Sequence, residues 1–134
     1  MNKTFLSTQA KEFRSCYNIK NEPSKAKRTY QKDLIVEEFK EFLEAEGMLF
    51  RNNNDFTVDA LKELADLVYV CYQYAENMGG FLDEALDRVH KSNMSKLGAD
   101  GKPIYREDGK PIYRDDGKVL KGPDYEPPTL TDLI

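Results

Sequence analysis

Between Val58 and Met78 apolar side chains cover most of the circumference of any helix the chain can form there: Val58, Leu61, Leu64, Ala65, Leu67, Val68, Val70, Cys71, Tyr72, Ala75 and Met78. A helix apolar nearly all round belongs at the centre of a bundle or at an interface between copies of the chain. Its polar remainder is Asp59, Lys62, Asp66 and Gln73, while Glu63 is flanked around the wheel by Val70, Tyr74 and Leu67. A carboxylate in such surroundings costs several kcal/mol unless it is paired or metal-bound. The expected fold class is all-α.

Periodicity predicts four helices before Gly98. The first covers about Ser7 to Tyr17. The second starts behind the cap Ser24 and runs to Glu46, ended by Gly47. The third follows a cap at Asp55 or Thr57 and stops at Met78, before Gly79-Gly80; the fourth covers about Leu82 to Leu97. Beyond Gly98 the texture changes. Asp100-Gly-Lys-Pro-Ile-Tyr-Arg106 recurs as Asp108-Gly-Lys-Pro-Ile-Tyr-Arg114, and Asp116-Gly-Lys-Val-Leu opens a third, degenerate copy. Asp-Gly favours tight hairpin turns and Ile-Tyr-Arg suits a short strand. From Gly122 the segment with Pro123, Pro127 and Pro128 should run extended over a surface. The expectation is a helical domain over residues 1–98 and an arm over 99–134, in all a bundle of four to five helices with a short C-terminal β-hairpin or extended arm. The third helix is too apolar for a lone monomer of this size, which predicts a homodimer or homotetramer.

Composition narrows the function. At 134 residues the chain suits one domain plus an appendage. A net charge of -4 and a pI near 5.1 argue against a nucleic-acid partner gripped through bulk charge. There is no 18-residue apolar stretch and no signal-peptide pattern, so no membrane association and a cytoplasmic location are expected. Cys16 and Cys71 form no CxxC motif and read as buried free thiols.

Two acidic patterns carry the chemistry: Glu37-Glu38-x-x-Glu41 and, after 21 residues, Glu63-x-x-Asp66. Residues three apart on a helix share a face, so each pattern aims two carboxylates at one object. On the second helix Ile35, Val36, Phe39, Phe42 and Leu43 form the apolar face; Glu37, Glu41 and Glu44 lie opposite, and Glu38 lies at the border. A solvated acidic face accounts for the opposite residues taken singly. It does not account for two acids on an apolar third helix facing two or three more, which repel each other until a cation intervenes. Oxygen ligands on neighbouring helices suit a hard divalent cation, Mg²⁺ first and Mn²⁺ as a substitute, and hence phosphate chemistry.

The fourth helix offers the complement. Its apolar stripe is Leu82, Ala85, Leu86, Val89 and Leu97, with Asn93 inside it and Lys91 and Lys96 near by. An amide in a core stripe needs partners, in the protein or on a base or sugar, and the lysines could meet phosphate oxygens. His90 borders the stripe and reads as structural or peripheral. No Walker A loop, GxGxxG, HExxH or CxxC motif is present. A non-catalytic helical interaction module remains the competing class.

The paired acidic patterns resemble the signature of the MazG-like all-α nucleoside triphosphate pyrophosphatases, a superfamily that includes dimeric dUTPases and phosphoribosyl-ATP pyrophosphohydrolases. The likeness covers roughly residues 24–97. It implies Mg²⁺-dependent cleavage of a nucleoside triphosphate between the α- and β-phosphates, giving a monophosphate and pyrophosphate. Carried over by position, Glu38, Glu41, Glu63 and Asp66 correspond to metal ligands, and Glu37 to an accessory acid that orients or deprotonates water; Glu38 shares that catalytic role. Lys91, Asn93 and Lys96 fall where relatives place nucleotide-contacting residues. The tail resembles those of small phage-encoded and phosphoribosyl-ATP-pyrophosphohydrolase-like members; the narrower expectation is a phage-encoded (d)GTP-directed enzyme in a host cytoplasm, with a phosphoribosyl-ATP pyrophosphohydrolase or a dUTPase-like enzyme as the alternative.

Overall fold

The computed structural model describes residues 5–51, 56–103 and 121–134. Among them the regular structure is helical: α1 (Leu6–Cys16), α2 (Lys25–Arg51), α3 (Thr57–Glu76) and α4 (Leu82–Met94), followed by a short 3₁₀ turn at Thr131–Leu133. No described helix is long and apolar enough to cross a membrane. The chain forms two compact units, Met1–Asp83 and Glu84–Ile134.

In the first unit α3 packs against both α1 and α2. The ends of α1 and α3 follow local chemistry. After α1 the Asn18 backbone takes a φ of 55°, a left-handed conformation that Asn tolerates better than most residues. The Ile19 amide then donates to the Arg14 carbonyl at 2.8 Å and the Asn18 amide to that of Ser15 at 3.2 Å, closing the helix. Gly79, at a φ of 113°, does the same for α3, with the Gly80 amide donating to the Ala75 carbonyl at 2.9 Å. α2 begins as expected, the Lys27 amide donating to the Ser24 hydroxyl at 3.3 Å. It does not stop at Gly47. The helix runs on to Arg51, because a mid-helix glycine costs only about 1 kcal/mol and the partly covered Met48 and Leu49 that follow keep the packing going.

The unit is fastened by polar groups as much as by apolar ones. Among the described residues its buried apolar ones are Ala10, Ala60 and Tyr72, against buried Arg14, Gln31, Gln73, Glu76 and Asn77. Arg14 of α1 is 2% exposed. Its guanidinium donates to the Asn21 side chain, to the Gln73 carbonyl and side chain, to the Lys20 carbonyl and to the Asn77 side chain, so all five N–H groups have acceptors. Near by, Lys11 pairs with Glu76 at 2.8 Å directly over Gly80, where a β-carbon would stand 2.7 Å from both the ammonium and a carboxylate oxygen. Asp83 accepts from the Ser7 hydroxyl and, at 2.9 Å, from the Tyr72 hydroxyl.

The large apolar residues of α2 and α3 are incompletely covered within one chain. Val36, Phe39 and Leu43 remain exposed on α2, and Val58, Leu61, Leu64 and Val68 on α3, with Leu61 66% accessible. A groove of about 400 Å³ runs between α1 and α3, walled by Leu6, Leu61, Leu64, Val68 and Tyr69. Cys16 is exposed rather than buried, since it stands on the outer face at the end of α1; Cys71 is partly buried, and both are free thiols.

In the second unit the C-terminal segment lies along α4. The Ser92 hydroxyl donates to the Glu126 carbonyl at 2.7 Å, the Glu126 amide donates to Ser95 Oγ at 2.9 Å, and Arg88 grips Asp132 at 2.6 and 3.0 Å. α4 ends at Met94, short of the expected Leu97, because its last turn tightens: the Lys96 and Leu97 amides donate to carbonyls three residues back. Asp100-Gly101 forms a tight turn in which the Gly98 amide meets the Lys102 carbonyl at 2.7 Å. The hairpin expected from the repeat lies on residues 104–120, outside the described residues.

Candidate functional site

α2 and α3 are consecutive helices joined by residues 52–56, a connection short enough to fold them back on each other as a helical hairpin. The packing of α3 against α2 brings the two acidic patterns together. Glu38, Glu41 and Glu63 each offer a carboxylate oxygen, and the three lie within 4.8 Å of one another. Glu38 and Glu63 are partly buried while Glu41 faces solvent. One oxygen of Glu38 and one of Glu63 are buried without any hydrogen-bond partner. Burial, the adjoining Glu41 carboxyl and the charges of Glu41, Asp66 and Glu63 together push the Glu38 carboxyl above the usual carboxylate range. Like charges have been gathered around Glu38 at a partly buried seam, which destabilises its ionised form.

Asp66, the fourth acid of the pattern, has a different setting. Its carboxylate is 2.7 Å from the Lys62 ammonium, one turn back on α3, and the same ammonium is 3.5 Å from Glu63. The Asp66 hydrogen bond, with the charges of Asp66 and Glu63, holds the Lys62 ammonium above its ordinary pKa. Lys62 was legible only as part of the polar remainder of α3; its i,i+4 spacing to Asp66 is the signal that marks it as the local counter-charge. Glu37 is exposed on α2 and stands outside the trio.

The donor set fits a divalent cation. Its oxygens are all carboxylates, three converge, and two of those residues carry an orphaned buried oxygen that a cation would satisfy. A structural ion pair would have supplied a basic partner inside the trio, and Lys62 reaches only its edge.

The residues expected to meet the substrate lie on α4 and just beyond it, in the second unit. Lys91 is exposed and paired with Asp87 at 2.8 Å. Asn93 is exposed, and the buried polar position on this stretch is Ser92, one residue earlier, held by the Glu126 carbonyl. Lys96 is partly buried and His90 is exposed.

A family model described as phosphoribosyl-ATP pyrophosphohydrolase matches residues 1–93, more than two thirds of the chain. The chain belongs to the phosphoribosyl-ATP pyrophosphohydrolase family. Comparison with curated proteins gave no match. Membership places it among the MazG-like all-α nucleoside triphosphate pyrophosphatases and makes it a hydrolase of the nucleotide diphosphatase type, so the non-catalytic interaction module gives way. The matched stretch carries α1, α2, α3 and the acids Glu37, Glu38, Glu41, Glu63 and Asp66, together with Lys91 and Asn93; Lys96 lies beyond it.

Proposed function

We propose that this phosphoribosyl-ATP pyrophosphohydrolase family member hydrolyses the α–β phosphoanhydride of a nucleotide that bears a triphosphate, with Mg²⁺ or Mn²⁺ held by Glu38, Glu41 and Glu63, and by Asp66 once Lys62 releases it. The single observation that carries the reading is the convergence of three carboxylates with two orphaned buried oxygens. When bound, the cation would neutralise the triphosphate and stabilise charge that develops on the phosphoryl oxygens. The chain's own groups do the rest. Glu37, exposed beside the trio in sequence, takes a proton from the attacking water, with Glu38 as the other candidate base. Lys62, now paired with Asp66, would be available to phosphate oxygens if the cation took up that carboxylate. Lys91, Asn93 and Lys96 are the candidates for contacts to phosphate, sugar or base.

Two substrate readings differ in what stands at the far end of the nucleotide. A (d)NTP, with (d)GTP foremost, is the reading suggested by the likeness of the tail to those of small phage-encoded members. Phosphoribosyl-ATP is favoured by the family whose model matches residues 1–93. The exposed apolar rows on α2 and α3 support a homodimer or homotetramer in which a second copy covers them. The test is pyrophosphate release from each of the eight common (d)NTPs and from phosphoribosyl-ATP, with and without Mg²⁺. Metal-dependent release is the expected result, and its ranking names the substrate. Equal release without divalent cation would overturn the assignment of the carboxylates.

A further inference from the structure

A cationic pocket at the start of α2 takes no part in the chemistry above. Lys25, Arg28, Thr29 and Lys32 line it from α2 and Tyr74 from α3, around a volume of about 230 Å³. Charge gathers here against the trend of the chain. The whole carries -4, yet residues 20–32 hold Lys20, Lys25, Lys27, Arg28 and Lys32 against one acid, Glu22. These cations crowd the first turns of a 27-residue helix whose opening turn has no acidic residue. The partial positive charge of a helix N-terminus disfavours cations, so the arrangement costs stability in the free protein. Among the described residues neither Lys25 nor Arg28 has an ion-pair partner, and Lys32 reaches only the exposed Asp33 at 3.9 Å. These side chains are exposed, and apart from Asp33 no carboxylate among the described residues pairs with them.

We infer that this pocket binds a phosphate monoester group. A planar guanidinium can fork two phosphate oxygens, two ammonium groups supply unhindered charge, and the Thr29 hydroxyl adds a donor. The Tyr74 ring walls one side. Along the axis of α2, Glu38 lies six residues beyond Lys32 and ten beyond Arg28, about 9 to 15 Å at the helical rise. Two sources share this chemistry: a second phosphate at the far end of a substrate whose triphosphate sits at the carboxylates, and a free phosphate ester acting from its own site. The binding itself stands apart from the pyrophosphohydrolase reading, because it needs no divalent cation.

The test is a titration of the full chain with inorganic phosphate in EDTA at low salt, followed by calorimetry and by backbone amide shifts. The expected result is binding with shifts confined to residues 25–32 and 74. A Lys25→Gln/Arg28→Gln variant should bind at least about tenfold more weakly. Arg28→Lys, which keeps the charge but loses the fork, should bind less weakly than the double variant but more weakly than the wild type, and rising salt should weaken the wild type. Removing cations from a helix N-terminus leaves the melting temperature unchanged or higher, so lost binding cannot be blamed on unfolding. No phosphate binding, shifts located elsewhere, or unchanged affinity in the double variant would overturn the inference. Turnover then separates the sources. A fall in kcat/KM for phosphoribosyl-ATP but not for (d)NTPs assigns the phosphate to the substrate; unchanged turnover of both, with phosphate binding lost, assigns it to a free ester.

Discussion

α3 carries two polar clusters that differ in one respect: whether their charge is answered. Toward its C-terminal end, Gln73 and Asn77 surround the Arg14 guanidinium, whose five N–H groups all find acceptors, while Glu76 supplies an opposite charge. Near its N-terminal end, Glu63 meets Glu38 and Glu41 with two buried oxygens unpartnered and only Lys62 at the rim. Both clusters desolvate charge, and both would be costly alone. The charge of the first is answered within the protein, as a joint between α1 and α3, although the Gln73 and Asn77 amide nitrogens that face it have no acceptor. The second leaves its charge unanswered, and it is there that the proposed cation would bind.

The contrast can be broken by substitution. Arg14→Ala strands the acceptors that surround it and should destabilise the fold by about 3–5 kcal/mol; chemical denaturation reads the loss, and a cost near zero would show that the joint is ornamental. Glu41→Gln and Glu63→Gln should do the opposite. Each removes repulsion, so the metal-free protein keeps or gains stability, while Mg²⁺-dependent pyrophosphate release falls on the order of 10²–10³-fold. Undiminished turnover in either would remove that residue from the site.

A smaller effect tests the closed side of α3 by pH. Burial, with the hydrogen bond to Asp83 and that residue's charge, pushes the Tyr72 hydroxyl from its ordinary 10.0 to about 12. The folded state therefore holds this proton more tightly than the unfolded chain does. Its contribution is complete below pH 10 and is lost as the pH rises toward 12. For Asp83, burial works to raise the pKa, but hydrogen bonds from Ser7 and Tyr72 hold it below the ordinary value. That contribution is present above the ordinary carboxylate pKa and is lost as the pH falls through the lowered one. Tyr72→Phe should cost about 1–2 kcal/mol at neutral pH and abolish the loss between pH 10 and 12 in urea midpoints; a loss of the same size in the variant would assign it to another group. Smallest is Lys62→Met. It removes the cation that competes for Asp66, so Mn²⁺ affinity should rise a few-fold by calorimetry. A fall would mean that Lys62 orders the carboxylates rather than occupying them.

How far the sequence reached follows the same division. Helix periodicity located α1, α3 and the acidic faces, because a carboxylate at the border of an apolar stripe has nowhere to go but a partly buried seam. Gly79 ended α3 because the left-handed turn there needs it. Gly47 did not end α2, since a glycine can be helical when the residues after it still pack. Asn93 looked like the buried amide of α4, and Ser92 was buried instead; a one-residue difference of face is beyond the resolution of a helical wheel. Cys16 looked buried because its neighbours are apolar, yet it faces solvent. Lys62 and the Arg14 network escaped because partnership depends on which side chains meet, and periodicity reports only which way they point.

The open cluster is tested most directly by the melting temperature of the wild type and of a Glu38→Gln/Glu63→Gln variant, each with and without saturating Mg²⁺. A site built by these carboxylates raises the wild-type melting temperature on adding Mg²⁺ and leaves the variant unmoved, with the metal-free variant at least as stable as the wild type. An equal rise in both proteins, or none in either, would contradict it.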